Sequence, residues 1–226
     1  RIIINENNEK VILKGFGLGG WLVLEGYMWN FPGFGSTTTM ENAVIDLLGE
    51  QKADLFFERY RSNYITEKDI SFLAENGFNA LRIPLHYKHF SPSFNEFTDI
   101  GFDLLEPIIN ACRDNDMYVV LDMHAAPGAQ NTSDFSDSDE QEARLFTQYS
   151  NQKWYVSTWR YIAEHYADEP VVAAYDLLNE PVLPWGYGPP ALRNLYEWAI
   201  DSIRMVDPNH IVIIEGNWFG NDHTGL

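Results

Sequence analysis

Cysteine and positive charge are both scarce in this chain. Cys112 is the only cysteine in 226 residues, which excludes an intrachain disulfide and a cysteine-built metal cage. Lysine and arginine together number 15 against 33 aspartates and glutamates, for a formal net charge of −18. A nucleic-acid or anionic-membrane partner would require a basic face, so neither is expected. No run of ~18 apolar residues occurs, so neither a transmembrane helix nor membrane insertion is expected. A G-x-S-x-G elbow is missing too, which removes support for Ser/His/Asp chemistry. The chain opens at Arg1 without Met and without a charged-then-apolar leader. We expect a trimmed, secreted or periplasmic chain, acting as a monomer.

What is present suits one buried core. Hydrophobic residues make up 45% of the chain, enough for residues 1–226 to form a single domain. Aromatic side chains are abundant, with 7 Trp, 12 Tyr and 14 Phe. Most belong in a core, but rings at a cleft suit the flat apolar faces of sugars. Cys112 lies in a helical pattern and is expected to be a buried, inert thiol.

The pattern along the chain alternates strand and helix. Ile2–Ile4 and Val11–Leu13 flank a polar turn and predict a small hairpin. A glycine-rich strand spans 14–20. An irregular aromatic stretch from Trp21 to Thr39 follows, with Tyr27, Trp29, Phe31 and Phe34, and is expected to line a cleft. Helical spacing appears at Leu55, Phe56, Arg59 and Tyr60. A second helix opens at Thr66, an N-cap with Asp69 three residues on, and stops at Gly77. Strands are predicted at 78–84, 118–124, 171–178 and 211–215, separated by helices through Leu105–Cys112, Tyr155–Tyr166 and Leu192–Val206. Pro107 leaves the start of the first of these open, since proline belongs in a first turn.

Such alternation implies a parallel sheet with right-handed crossovers. A doubly wound dinucleotide fold would show a phosphate-binding glycine turn, but Gly15, Gly17, Gly19 and Gly20 lack its spacing. A (β/α)₈ barrel fits better, because polar residues collect at the C-terminal strand ends, where a barrel carries its site. Only five strands are counted, against the eight and ~250 residues of a complete barrel. The chain is expected to hold the first five.

Four of those strand ends carry the candidate chemistry. They are Arg82-Ile83-Pro84, Asp122-Met123-His124, Asn179-Glu180, and Glu215-Gly216-Asn217-Trp218. A carboxylate at the end of the apolar run VVAAYDLL (171–178) needs a reason, and the best is that it points into a site. Cleaving a glycosidic bond takes a proton donor for the leaving oxygen and a second carboxylate for the anomeric carbon. Glu180 is the candidate donor. Asn179 can donate to a sugar 2-hydroxyl, Arg82 can hold a carboxylate ionised, and His124 can orient a neighbour or bind a hydroxyl. Each has a blander reading: Arg82 as a neutralising partner, His124 as a core histidine, Asn179 as a turn cap. The Asp122-x-His124 pair has the look of metal ligands, but the other histidines are scattered, so no metal and no cofactor is expected.

Four segments, KGFGLGGWLVLEGYM (14–28), NALRIPLHY (79–87), YVVLDMHAAPGAQN (118–131) and YDLLNEP (175–181), resemble glycoside hydrolase family 5, in order and in spacing. GGWLVLE and HAAPGAQN look most like its exo-β-1,3-glucanase branch, whereas YMWNFPGFGSTTT is similar to bacterial members. The resemblance implies a retaining β-glucanase on a (β/α)₈ barrel, acting on β-glucan oligosaccharide or polysaccharide with β-1,3 or β-1,4 linkage. It implies Glu180 as acid/base, Asn179 as its 2-hydroxyl partner, and Arg82 and His124 as support. Glu25 and Asn131 match sugar-contacting positions, and Trp21, Trp29 and Trp218 are candidate sugar platforms. The nucleophilic Glu that the resemblance requires is expected beyond residue 226, and Glu215, on the strand next to Glu180, is not it. Two alternatives stand: a silent carbohydrate-binding barrel, and a β-mannan hydrolase.

Overall fold

In the computed structural model, residues 2–4, 8–30, 35–138 and 142–226 are described. Phe31 and Phe34 of the aromatic stretch, and residues 5–7 of the hairpin turn, lie outside them. The hairpin is present: β1 (Ile3–Ile4) pairs antiparallel with β2 (Lys10–Val11), Ile3 opposite Val11. It sits by the first residues of the later strands, lining with Tyr118, Val172 and Ile211 an open cavity of about 500 Å³.

The main sheet has five parallel strands in sequential order: β3 (Gly15–Gly17), β4 (Ala80–His86), β5 (Tyr118–Ala125), β6 (Val172–Asp176) and β7 (Ile211–Ile213). Each neighbour is reached through helices: α1 to α4 (Gly26–Trp29, Thr37–Leu48, Glu50–Tyr64, Glu67–Glu75), α5 (Ile100–Asp114), α6 and α7 (Arg144–Thr147, Tyr149–Tyr166) and α8 (Pro189–Arg204). Sequential parallel order with a helical return after every strand is how a (β/α)₈ barrel is wound. The described residues supply five of its eight strands. β4 to β6 are buried almost throughout, while β3 and β7 each have one neighbour and expose Phe16, Ile211 and Ile213.

Boundaries moved where a backbone group decides them. β4 was expected to stop at Pro84 but runs to His86. Leu18 N–H donates to Arg82 O, so residues 82 and 84 turn their backbone groups toward β3. Since β3 has already ended opposite Arg82, the N–H that Pro84 lacks forfeits no ladder bond. β6 is shorter than expected and ends at Asp176. Asn179 and Glu180 therefore sit on a turn beyond the strand. Pro107 lies inside α5, on its exposed face, rather than at its start. The stretch read as irregular to Thr39 turns helical at Thr37, where the Ser36 hydroxyl caps Thr39 N–H at 3.2 Å.

α4 opens as expected, with Thr66 N–H and hydroxyl both donating to Asp69 Oδ2, at 2.8 and 2.7 Å. One continuous core fills the space between sheet and helices, with Leu81, Ile83, Val119, Leu121, Tyr155, Trp159 and Ile203 fully enclosed. Cys112 is buried in it, and burial pushes its thiol up to about 12, so it is inert at neutral pH. Among the described residues no helix is long and apolar enough to cross a membrane.

Candidate active site

The four strand ends meet at one face of the sheet, with Arg82 at their centre. Its Nη1 lies 3.0 Å from Asp122 Oδ2. Its Nε and Nη2 donate to Asp176 Oδ2 at 3.0 and 2.9 Å. Nη2 also donates to Asn179 Oδ1 at 2.9 Å and to Glu215 Oε1 at 3.2 Å. One guanidinium thus binds three carboxylates and an amide drawn from the ends of three other strands. Burial opposes its charge, but Asp122, Asp176 and Glu215 hold it ionised.

Three carboxylates around one cation leave a surplus of negative charge in a buried place. Asp122 and Asp176 are paired residues on adjacent strands, and both are buried. Burial, then the charge of Asp122, pushes the Asp176 carboxyl up to about 7, against the pull of Arg82. Burial also raises Glu215, against its bonds to Glu180 N–H and Arg82. Among the described residues no group of three or more His, Cys, Asp and Glu side chains is arranged to hold a metal.

His124 stands on the next step up. Its Nδ1 is 2.6 Å from Asp122 Oδ2, which makes Nδ1 the protonated nitrogen. Burial opposes a charged imidazole, yet Asp122 outweighs it and raises the ring above its ordinary range, with Glu25 adding to the effect. Asn179 Nδ2 lies 3.5 Å from His124 Nε2, so its Oδ1 is turned to Arg82 and its amide to the imidazole.

The turn that carries Glu180 is held at almost every backbone group. Leu177 O accepts from Tyr155 Oη at 2.8 Å and Trp159 Nε1 at 2.9 Å, both on α7. Asn179 N–H donates to Met123 O at 3.1 Å, and Asn179 O accepts from Gln130 Nε2 at 3.0 Å. Glu180 itself has φ of +48°, a left-handed conformation uncommon for a residue with a side chain. Its N–H donates to Glu215 Oε2 at 2.8 Å and its carbonyl accepts from Asn131 Nδ2 at 2.9 Å.

The candidates therefore separate. Arg82, His124, Asn179 and Glu180 come together. Glu25, at the N-terminus of α1, is buried close enough for its charge to act on both His124 and Tyr27. Trp218 is exposed on the loop after β7. Asn131 is not placed to touch a sugar: it is fully buried, and its side chain is used by Glu180 O and Ser133 N–H. Trp21 is core rather than platform, 2% exposed, with its indole N–H on Arg61 O. Trp29 packs on Tyr60 and Phe56 of α3, so its ring is engaged by helix packing. Sequence reasoning passed over Asp176 and Gln130, whose neighbours only the fold supplies. It also missed Trp185, fully exposed on the Glu180 loop.

Sheet order and the polar cluster at its C-terminal face define a barrel of the glycoside-hydrolase class. Comparison with known proteins narrows this. The model of the Cellulase family (glycosyl hydrolase family 5) matches residues 39–225. A Beta-xylosidase of Phanerodontia chrysosporium is 33% identical over 224 residues, 98% of this chain and 46% of that protein. A Probable glucan 1,3-beta-glucosidase A of Neosartorya fischeri is 32% identical over 207 residues, 90% of this chain and 49% of that protein. The crystal structure of rutinosidase from Aspergillus niger shares the fold, with a TM-score of 0.77 at 19% identity over 90% of this chain and 62% of its own. The chain belongs to glycosyl hydrolase family 5. It spans about half the length of the curated relatives it matches.

Proposed function

We propose that the protein is a retaining β-glycoside hydrolase acting on β-linked glucan, with Glu180 as general acid/base. The observation that carries this reading is the clamped turn. A partly exposed carboxylate is held at the mouth on a peptide bonded on both sides, next to an amide oriented by Arg82 and His124. Such a carboxyl can protonate a leaving oxygen, then deprotonate the incoming water. Asn179, with Oδ1 on Arg82, presents its Nδ2 for a sugar 2-hydroxyl, a bond that strengthens as the ring gains cationic character. His124 keeps that amide in place, and Tyr27, Trp185 and Trp218 offer exposed rings for sugar faces.

The second carboxylate, the nucleophile, is assigned to a barrel strand outside residues 1–226. Glu215 does not suit that role, because both its oxygens are taken by Glu180 N–H and Arg82. A nucleophile must face the acid with the sugar between them, about 5–5.5 Å away. The names of the relatives favour β-glucosides and β-xylosides as substrates. Export suits an enzyme whose polymeric substrate cannot enter a cell.

Glu180→Gln in the full-length protein tests the reading. Hydrolysis of oligosaccharides is expected to fall by about 10²–10⁴, with binding retained. A panel of β-1,3- and β-1,4-linked gluco-, manno- and xylo-oligosaccharides would set the substrate. Undiminished hydrolysis by the variant would overturn the assignment, and binding without turnover by the unaltered protein would establish the silent-barrel alternative.

A further inference from the structure

Glu215 is a partly buried carboxylate in the cluster for which the proposed chemistry has no step. Its placement is specific. Oε2 accepts from Glu180 N–H and Oε1 accepts from Arg82 Nη2, so a single side chain joins the acid's own peptide to the central cation. Its backbone is fixed as well, with Glu215 O accepting from Tyr196 Oη of α8 at 2.9 Å.

The loop after Glu215 is tied to the Glu180 turn at two further points. Leu183 N–H donates to Asn217 Oδ1 at 2.9 Å, and Phe219 N–H donates to Pro181 O at 3.3 Å. The loop closes on itself through Gly220 N–H to Gly216 O and a reciprocal pair between Asn217 and Asp222. Gly216 is required there, because a Cβ would stand 2.5 Å from Asp222 O. The turn carrying the acid is thus fastened along one side by the segment that Glu215 begins, and on the other by Gln130 and Asn131.

We infer that Glu215 is a positioning residue for Glu180: it holds the Glu180 peptide in its left-handed conformation and so aims the acid at the leaving oxygen. A left-handed backbone at a non-glycine residue is disfavoured and persists only where surroundings over-determine it. A charged acceptor on Glu180 N–H, braced by Arg82, is the strongest such restraint on the turn. Without it the peptide is free to relax toward ordinary φ, which swings the carboxyl away from the mouth. The inference rests on the reading of Glu180 as the acid.

The test separates aim from fold. Hydrolysis of a sugar leaving group needs the proton from Glu180, whereas a 2,4-dinitrophenyl leaving group departs without it. In the full-length protein, Glu215→Ala is expected to lower kcat/KM for a β-linked oligosaccharide about 100-fold and that for the matched 2,4-dinitrophenyl glycoside less than about threefold. Glu215→Gln keeps the shape but has one oxygen for two donors, and the selective loss is expected to be about tenfold. Equal losses on both substrates would assign Glu215 to general stability and overturn the inference, as would an unchanged oligosaccharide rate or failure of both variants to fold by circular dichroism. Glu180→Ala is the control. If it shows the selective loss and the Glu215 variants do not, the positioning role alone falls. If it too fails to discriminate, the acid assignment falls and takes the inference with it.

Discussion

At the scale of single residues the cluster is a problem in charge. Arg82 faces Asp122, Asp176 and Glu215, and one guanidinium does not offset three carboxylates, two of them buried. The surplus raises the Asp176 carboxyl from 3.8 to about 7, through burial first and then the charge of Asp122. The consequence for stability has a definite sign. A carboxyl raised on folding binds more protons folded than unfolded, so stability falls as pH rises between the two values. Asp176 therefore costs nothing below 3.8 and its full penalty above about 7, at most about 4 kcal/mol. His124, raised from 6.5 by Asp122 against the effect of burial, works in the same direction at higher pH. We expect the thermal midpoint to drop across the interval from 3.8 to about 7, and Asp176→Asn to flatten that drop. Calorimetry at a series of pH values would show it, and an equally steep profile in the variant would refute it.

At the scale of elements, the mouth is built by loops that hold one another. Asp137, in a left-handed turn after β5, accepts from Thr38 N–H at 2.7 Å, Thr38 Oγ1 at 2.6 Å, His86 Nε2 at 2.9 Å and Lys88 Nζ at 3.0 Å. It joins the β5 loop to the start of α2 and the end of β4. Burial opposes its charge, but the His86 bond and the neighbouring Lys88 hold its carboxyl far below the usual range. That stabilisation is present above 3.8 and is lost as pH falls below it. Asp137→Ala leaves the buried His86 and the half-buried Thr38 without this acceptor and should destabilise the fold by about 3 kcal/mol, measurable by urea unfolding. A change under about 0.5 kcal/mol would mean the loop is held by something else.

Elements also show where reading the chain succeeded. The α4 cap was visible because Thr66 and Asp69 act locally, three residues apart. α2 was missed because its cap, Ser36, sits among aromatic and glycine residues that lack a helical period. Pro84 misled because proline's effect in a strand depends on which edge its nitrogen faces. That edge is set by β3, more than 60 residues earlier.

At the scale of the whole molecule, five parallel strands in order carry Arg82, His124, Asn179, Glu180 and Glu215 to one face. Strand number and sense were legible because central parallel strands, buried on both faces, are near-continuous apolar runs, and β4, β5 and β6 are each followed by a helix with one apolar face. The common location of the polar residues was legible because strand ends of one sense share a face. The roles of Trp21 and Asn131 were not, since stacking on a sugar and filling a core use the same ring, and binding a hydroxyl and bracing a peptide use the same amide.

The sequence by itself determined the barrel units, their order, the family and the Asn179-Glu180 pair, because these rest on local period and short motifs. Only the tertiary structure decided that Arg82 is a four-partner hub, that the Asp176 carboxyl is raised, and that Glu215 and Asn131 grip the Glu180 peptide. Those depend on charges and backbone groups brought together from positions far apart in the chain, and no local pattern encodes such distances.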